Sequence, residues 1–140
     1  MNPKPMRMGM LHVAKMCLLA LISLVAAMAA SAAELNTMRN AANGVTVAVT
    51  PQVKPGAGFE FKIVVDTHSQ DLSDDFLKSA VLLDSAGNRY APIAWDGAGP
   101  GGHHREGVLR FAPVPSTTSI ELQVSRPKEQ TARTFRWQLE

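Results

Sequence analysis

Two stretches decide the fold, VTVAVT at residues 45–50 and FEFKIVV at residues 59–65. In both, apolar residues recur at every second position, which is the period of a strand that buries one face. Residues 51–58 between them contain two prolines and two glycines, the residues most typical of turns. The pair therefore predicts two strands joined by a tight connection.

Five further segments with strand character follow. They are residues 80–84, 89–95, 108–111, 120–124 and 134–139. The turn sequence SAGN separates the first two of these, which predicts a hairpin. Seven short strands without an amphipathic helical period predict an all-β fold, an immunoglobulin-like antiparallel β-sandwich. The alternative is a small Greek-key barrel.

The segment that precedes these strands has the three parts of a secretory signal peptide. Three basic residues come first, then an apolar run, then small residues at the end of the stretch 16–33. Cleavage after Ala32 and cleavage after Ala33 fit this pattern equally well. We therefore predict that residues 1–33 are a signal peptide and that the mature protein is periplasmic or secreted, with no membrane insertion after cleavage.

Removal of this leader changes the composition of the protein. Three of the fourteen basic residues lie in the leader and all twelve acidic residues follow it, so the net charge falls from +2 to about −1. This charge gives no reason to expect a nucleic-acid partner. Cys17 is also removed, and the mature chain has no thiol for a disulfide. We predict a flexible lead over residues 34–43 and one β-sandwich domain over residues 44–140.

Three histidines remain in the mature chain, and all three fall in predicted loops. His68 lies in the sequence DTHS, and His103 and His104 lie in the sequence GGHHR. Loops at one end of a sandwich cluster together, so these imidazoles are expected to meet, with an oxygen from Asp66, from Asp96 or from a water to complete the set. Imidazole and carboxylate groups bind zinc and divalent copper. The sequence therefore predicts a transition-metal site whose main ligands are the three histidines and Asp66.

Other interpretations of these loops stay open. In one, the histidines are structural or solvated, and in another Arg105 contacts an anion or a peptide. The acidic residues over 66–75 predict a solvated turn with Ser73 as a helix cap, because their spacing lacks the Asp-x-Asp-x-Asp-Gly pattern of a calcium loop. The mature chain has no Gly-x-Ser-x-Gly or His-Glu-x-x-His motif and no cysteine nucleophile, and it is predicted not to be an enzyme.

The two histidine motifs also carry a resemblance. DTHS and GGHHR, together with Trp95 and Phe111, resemble the corresponding residues of a group of uncharacterised exported bacterial proteins that carry a similar pair. The likeness covers most of the mature domain, from about Val45 to Leu139. It implies an exported β-domain and singles out the three histidines together, but it implies no reaction, ligand or partner.

Two functions are expected from these observations. The first is that of an exported, non-catalytic domain that binds zinc or divalent copper through its loop histidines. The second is that of an accessory module whose histidines are structural and whose exposed edge strand or loop end docks another envelope protein.

Overall fold

A computed structural model describes residues 35–54 and 56–139 of the chain. Along these residues the elements are β1 (Met38–Ala42), β2 (Val45–Val53), β3 (Phe59–Thr67), α1 (Phe76–Ser79), β4 (Ala80–Asp84), β5 (Arg89–Tyr90), β6 (Ala94–Gly97), β7 (His104–Arg110), β8 (Ser119–Val124) and β9 (Arg133–Gln138). One sheet has the order β1-β2-β3-β7-β6 and the other β5-β4-β8-β9. All pairings are antiparallel, and neither sheet closes into a barrel in the described part of the chain. The predicted all-β sandwich is confirmed.

Two predictions concern the N-terminal region, a signal peptide over residues 1–33 and a flexible lead over residues 34–43. The predicted signal peptide, residues 1–33, lies outside the described residues. Within residues 35–54 and 56–139, no helix is long and apolar enough to cross a membrane. The predicted lead over residues 34–43 contains strand β1. This strand shows no apolar alternation because it lies at a sheet edge, where almost every side chain is exposed.

The core forms where the sequence pattern is strongest. The alternating stretches become β2 and β3, which pair in a register that sets Val47 opposite Val65, both buried. Phe61 is fully buried, and the centre of its ring lies 5.7 Å from each of the rings of Phe111 and Trp137. Burial of each such side chain stabilises the fold by about 1.5–3 kcal/mol. The two sheets are therefore held together mainly by apolar packing.

The single strand predicted over residues 89–95 is two strands in different sheets. β5 pairs with β4 in the four-stranded sheet, whereas β6 pairs with β7 in the five-stranded sheet. The chain crosses between the sheets at residues 91–93, where Pro92 lacks the N–H group that a strand interior needs. This crossing, together with β1, gives nine strands in the described residues where seven were predicted.

Strand β7 begins at His104, four residues before the predicted start. The sequence pattern hides its first half because Arg105 and Gly107 occupy the positions that share a face with buried Leu109. A side chain at position 107 would clash, since a Cβ there would lie 2.6 Å from a carbon of the Trp95 ring. His104 therefore lies on a strand and not in a loop, which corrects the prediction for that residue.

Candidate metal-binding site at one end of the sandwich

The ladder between β3 and β7 ends at the two histidine motifs. Asp66 lies opposite His104 in the register. One step further, the N–H group of Thr67 donates to the carbonyl oxygen of His103 at 2.9 Å. The DTHS and GGHHR segments are therefore direct neighbours, although they are far apart in sequence.

Three more hydrogen bonds join the GGHHR segment to Asp71 and Leu72, which follow the DTHS segment in sequence. The N–H group of Leu72 donates to the carbonyl of Gly102 at 3.0 Å, and the N–H group of Gly101 donates to the carbonyl of Leu72 at 2.7 Å. The N–H group of Gly102 also donates to Oδ1 of Asp71 at 2.8 Å. Gly101 and Gly102 have φ angles of 119° and 75°, which side chains disfavour. The two glycines thus permit the bend that places the histidine pair beside the end of β3.

His104 and Asp66 form an exposed acid–base pair. The distance from His104 Nδ1 to Asp66 Oδ1 is 2.5 Å, and the two side chains are 59% and 53% exposed. The hydrogen bond that His104 donates to the Asp66 carboxylate raises the pKa of His104, and the negative charge of Glu106 raises it further. Because Nδ1 faces the carboxylate, Nε2 is the ring nitrogen left to contact a ligand.

His68 and His103 are both exposed, one just beyond β3 and the other just before β7. In the described part of the chain, no group of three His, Cys, Asp or Glu side chains is arranged so that it could hold a metal ion. The backbone therefore brings the predicted ligands into one region, but it does not assemble their side chains around a common point. The metal site stays a prediction.

Arg105 has a structural role in this region. The sequence had left open that its side chain contacts an anion or a peptide. Its side chain is buried, and its guanidinium lies 5.0 Å from the centre of the Phe76 ring and 5.9 Å from that of Trp95. It donates to the carbonyls of Asp74 at 2.7 Å and Ala98 at 3.0 Å. This arrangement fixes the loops on either side of β7. Burial lowers the pKa of Arg105, although the group stays charged.

Asp74 is also buried, whereas a solvated turn was predicted for residues 66–75. Its two carboxylate oxygens accept hydrogen bonds from Arg126 Nε at 2.8 Å and Nη2 at 3.0 Å. The two side chains are 0% and 4% exposed. Helix α1 begins after Asp75 without a side-chain cap, so the predicted Ser73 cap is wrong. The acidic segment therefore contributes to the fold and does not form a cation-binding loop through Asp74.

The buried pair extends into a network that the sequence did not indicate. Glu129 lies 3.1 Å from Arg126 Nη1 and 2.6 Å from Arg133 Nη2. The hydrogen bond from Arg133 lowers the pKa of Glu129. Arg133 also donates to the carbonyls of Asn40 and Ala42 at the outer edge of β1. The only sequence signal is the spacing of three residues from Arg126 to Glu129 and of four from Glu129 to Arg133.

Comparison of the sequence with protein-family models, with curated proteins and with solved structures gave no match. The resemblance to exported proteins with a DTHS and GGHHR pair stays a prediction.

Proposed function

We propose that this protein is an exported, non-catalytic binding domain that coordinates a transition-metal ion, zinc or divalent copper. The signal-peptide pattern of residues 1–33 supports export to the periplasm or the exterior. The proposed ligands are the imidazoles of His68, His103 and His104. The observation that carries the proposal is the 2.9 Å hydrogen bond between Thr67 and His103, because it keeps the two motifs side by side.

The domain is proposed to be immunoglobulin-like. In the constant-type immunoglobulin fold, strands A, B, E and D form one sheet and strands C, F and G form the other. The order β2-β3-β7-β6 agrees with the first set and β4-β8-β9 agrees with the second, with β1 and β5 as additional edge strands. Loops at the ends of such sandwiches commonly carry binding sites, which fits the position of the histidine motifs.

Asp66 orients His104 in this proposal and is not a direct ligand. Histidines that bind metals usually donate their second ring N–H to a carboxylate or carbonyl oxygen, and the contact of Asp66 with His104 Nδ1 has this form. Nε2 of His104 is then directed toward the ion. His68 and His103 complete the set by rotation of their side chains, which their exposure permits.

A metal titration of the mature protein tests the proposal. Calorimetry is expected to detect saturable, one-to-one binding of zinc or divalent copper, and replacement of any of the three histidines by alanine is expected to weaken it. Asp66→Asn preserves the shape but removes the orienting charge, and it is expected to lower the affinity about 10–100-fold. Asp75→Asn changes an exposed carboxylate that is not a candidate ligand and serves as the matched control.

Two results would contradict the metal proposal. One is the absence of saturation by either metal with the wild-type protein. The other is an unchanged affinity in His68→Ala, His103→Ala and His104→Ala, because binding would then occur elsewhere on the surface.

A second function, docking of another envelope protein, is favoured by the open edge of the five-stranded sheet. Among the described residues, strand β6 has a neighbouring strand on one side only, and Ile93 immediately before it is 65% exposed. At the opposite edge, the side chain of Arg133 on β9 donates to two carbonyls of β1, those of Asn40 and Ala42. An extended segment of a partner that adds to β6 would pair with its backbone.

Crosslinking distinguishes this second function. A photoreactive group placed at position 93 in intact cells is expected to capture one discrete protein, and the same group at position 38 on β1 is not. Loss of the captured band in an Asp96→Pro variant, which disturbs β6 pairing, would support strand addition. Equal capture at both positions would contradict it.

A further inference from the structure

A cavity of about 630 Å³ lies beside the histidine loops and is separate from the proposed metal ligands. It opens between the β1–β2 turn, the β3–α1 loop and the β8–β9 loop. Its lining is polar and includes Asn43, Ser69, Gln70, Asp71, Ser73 and Lys128. The volume is typical of small-molecule sites, which span about 300–1,000 Å³. The lining suits a small ligand that is itself polar.

Two of the charged side chains in the lining pair with each other, and two others have no ion-pair partner among the described residues. Arg126 and Glu129 form an ion pair at 3.1 Å, and their side chains are 4% and 8% exposed. Asp71 and Lys128 have no ion-pair partner among residues 35–54 and 56–139. The cavity therefore presents one carboxylate and one ammonium group whose charges a ligand can neutralise.

The backbone of Lys128 provides an independent observation. The N–H group of Glu129 donates to the carbonyl of Arg126 at 3.1 Å, which closes a turn over Pro127 and Lys128. Lys128 has a φ of 65°, a left-handed conformation. Pro127 and Lys128 are the second and third residues of this turn. When the third residue of such a turn has a positive φ, it is usually glycine. A lysine there costs conformational free energy, and such outliers cluster at ligand-binding sites.

We propose that this cavity binds a small zwitterion of amino-acid or dipeptide size. Its carboxylate contacts the ammonium of Lys128, and its ammonium contacts the carboxylate of Asp71. The hydroxyl of Ser73 lines the same cavity and supplies a further polar contact. The proposal does not depend on the metal site, because none of these side chains is a proposed metal ligand.

Titration with three matched peptides tests the need for both charges. Alanyl-alanine carries both termini, N-acetyl-alanyl-alanine lacks the ammonium, and alanyl-alanine amide lacks the carboxylate. Chemical-shift changes at the amides of the cavity loops are expected to saturate with alanyl-alanine. The two blocked peptides are expected to bind at least about tenfold more weakly, since each leaves one charged side chain unpaired. Equal binding of either blocked peptide would overturn the proposal.

Variants of the two charged residues separate binding from stability. Lys128→Gly relieves the backbone strain and removes the ammonium, so its melting temperature is expected to equal or exceed that of the wild type while its affinity for alanyl-alanine falls at least tenfold. Asp71→Asn keeps an oxygen for the Gly102 N–H group and is expected to lose affinity similarly. Lys62→Ala, an exposed lysine on β3, is the matched control and is expected to bind normally.

Three results would overturn the proposal. They are the absence of saturation by alanyl-alanine at millimolar concentration, unchanged affinity in Lys128→Gly, and a lowered melting temperature in Lys128→Gly with binding intact. Any of these can occur while the metal titration succeeds, so the failure of the cavity proposal and the failure of the metal proposal are distinguishable.

Discussion

Two carboxylates of the segment 66–74 meet basic side chains in opposite surroundings. The pair between Asp74 and Arg126 is almost fully buried, whereas the pair between Asp66 and His104 is more than half exposed. Breaking a buried pair leaves a charge without water or partner, but an exposed pair is screened and contributes little to stability. The buried pair between Asp74 and Arg126 therefore stabilises the fold, whereas the exposed pair between Asp66 and His104 is free to contact a ligand.

The largest effect is expected from removal of Asp74. Asp74→Ala leaves Arg126 buried without its counter-charge and is expected to lower the free energy of unfolding by about 3–5 kcal/mol. Urea unfolding of the mature protein measures this change. Asp75→Ala, at the adjacent exposed position, is the control and should leave the midpoint unchanged. If both variants unfolded at the wild-type midpoint, the buried pair would have no special role.

A smaller effect is expected from Arg133, which joins the buried network to the edge of the sandwich. Arg133→Met leaves three carbonyl oxygens, those of Asn40, Ala42 and Val45, without their donor. The expected loss is about 2–3 kcal/mol. Hydrogen exchange should show faster exchange in β1 and the adjoining part of β2 than in β8. Uniform acceleration over both sheets would contradict a local role at this edge.

Glu129 makes the buried network sensitive to acid. The hydrogen bond from Arg133 holds its folded-state pKa below the ordinary value of 4.5. Its contribution to stability is therefore complete above that value and is lost as the pH falls through the lower, folded-state pKa. Glu129→Gln is expected to cost about 1–2 kcal/mol at neutral pH. Unfolding curves of variant and wild type should converge in acid, and a constant difference at all pH values would contradict this assignment.

The smallest effect on stability is expected at the exposed pair. Asp66→Asn should leave the urea midpoint unchanged, because water screens the interaction of Asp66 with His104. The same variant should lower the pKa of His104, since the carboxylate that raises it loses its charge. NMR titration of the imidazole measures this shift. A variant that unfolded much more readily would show that the exposed pair also maintains the fold.

The strands that the sequence predicts well are those with a regular two-residue apolar period. β2 and β3 have this period, and both form where it indicates. The start of β7 is not predicted, because Arg105 and Gly107 lie on its inner face and interrupt the apolar period.

The region of the proposed site was predicted in part, since the two histidine motifs are neighbours in the structure. Their side chains were not predictable, because rotamers depend on neighbours such as Asp66.

The sequence by itself determined an all-β chain with two core strands around VTVAVT and FEFKIVV, because the alternation of buried side chains is a local property of a strand. Only the tertiary structure decided which charged residues are buried. Asp74 and Arg126 are 52 positions apart, and each is stable in the interior only because the other is there. Pairing over such a distance depends on the way the sheets pack, which no local pattern of residues encodes.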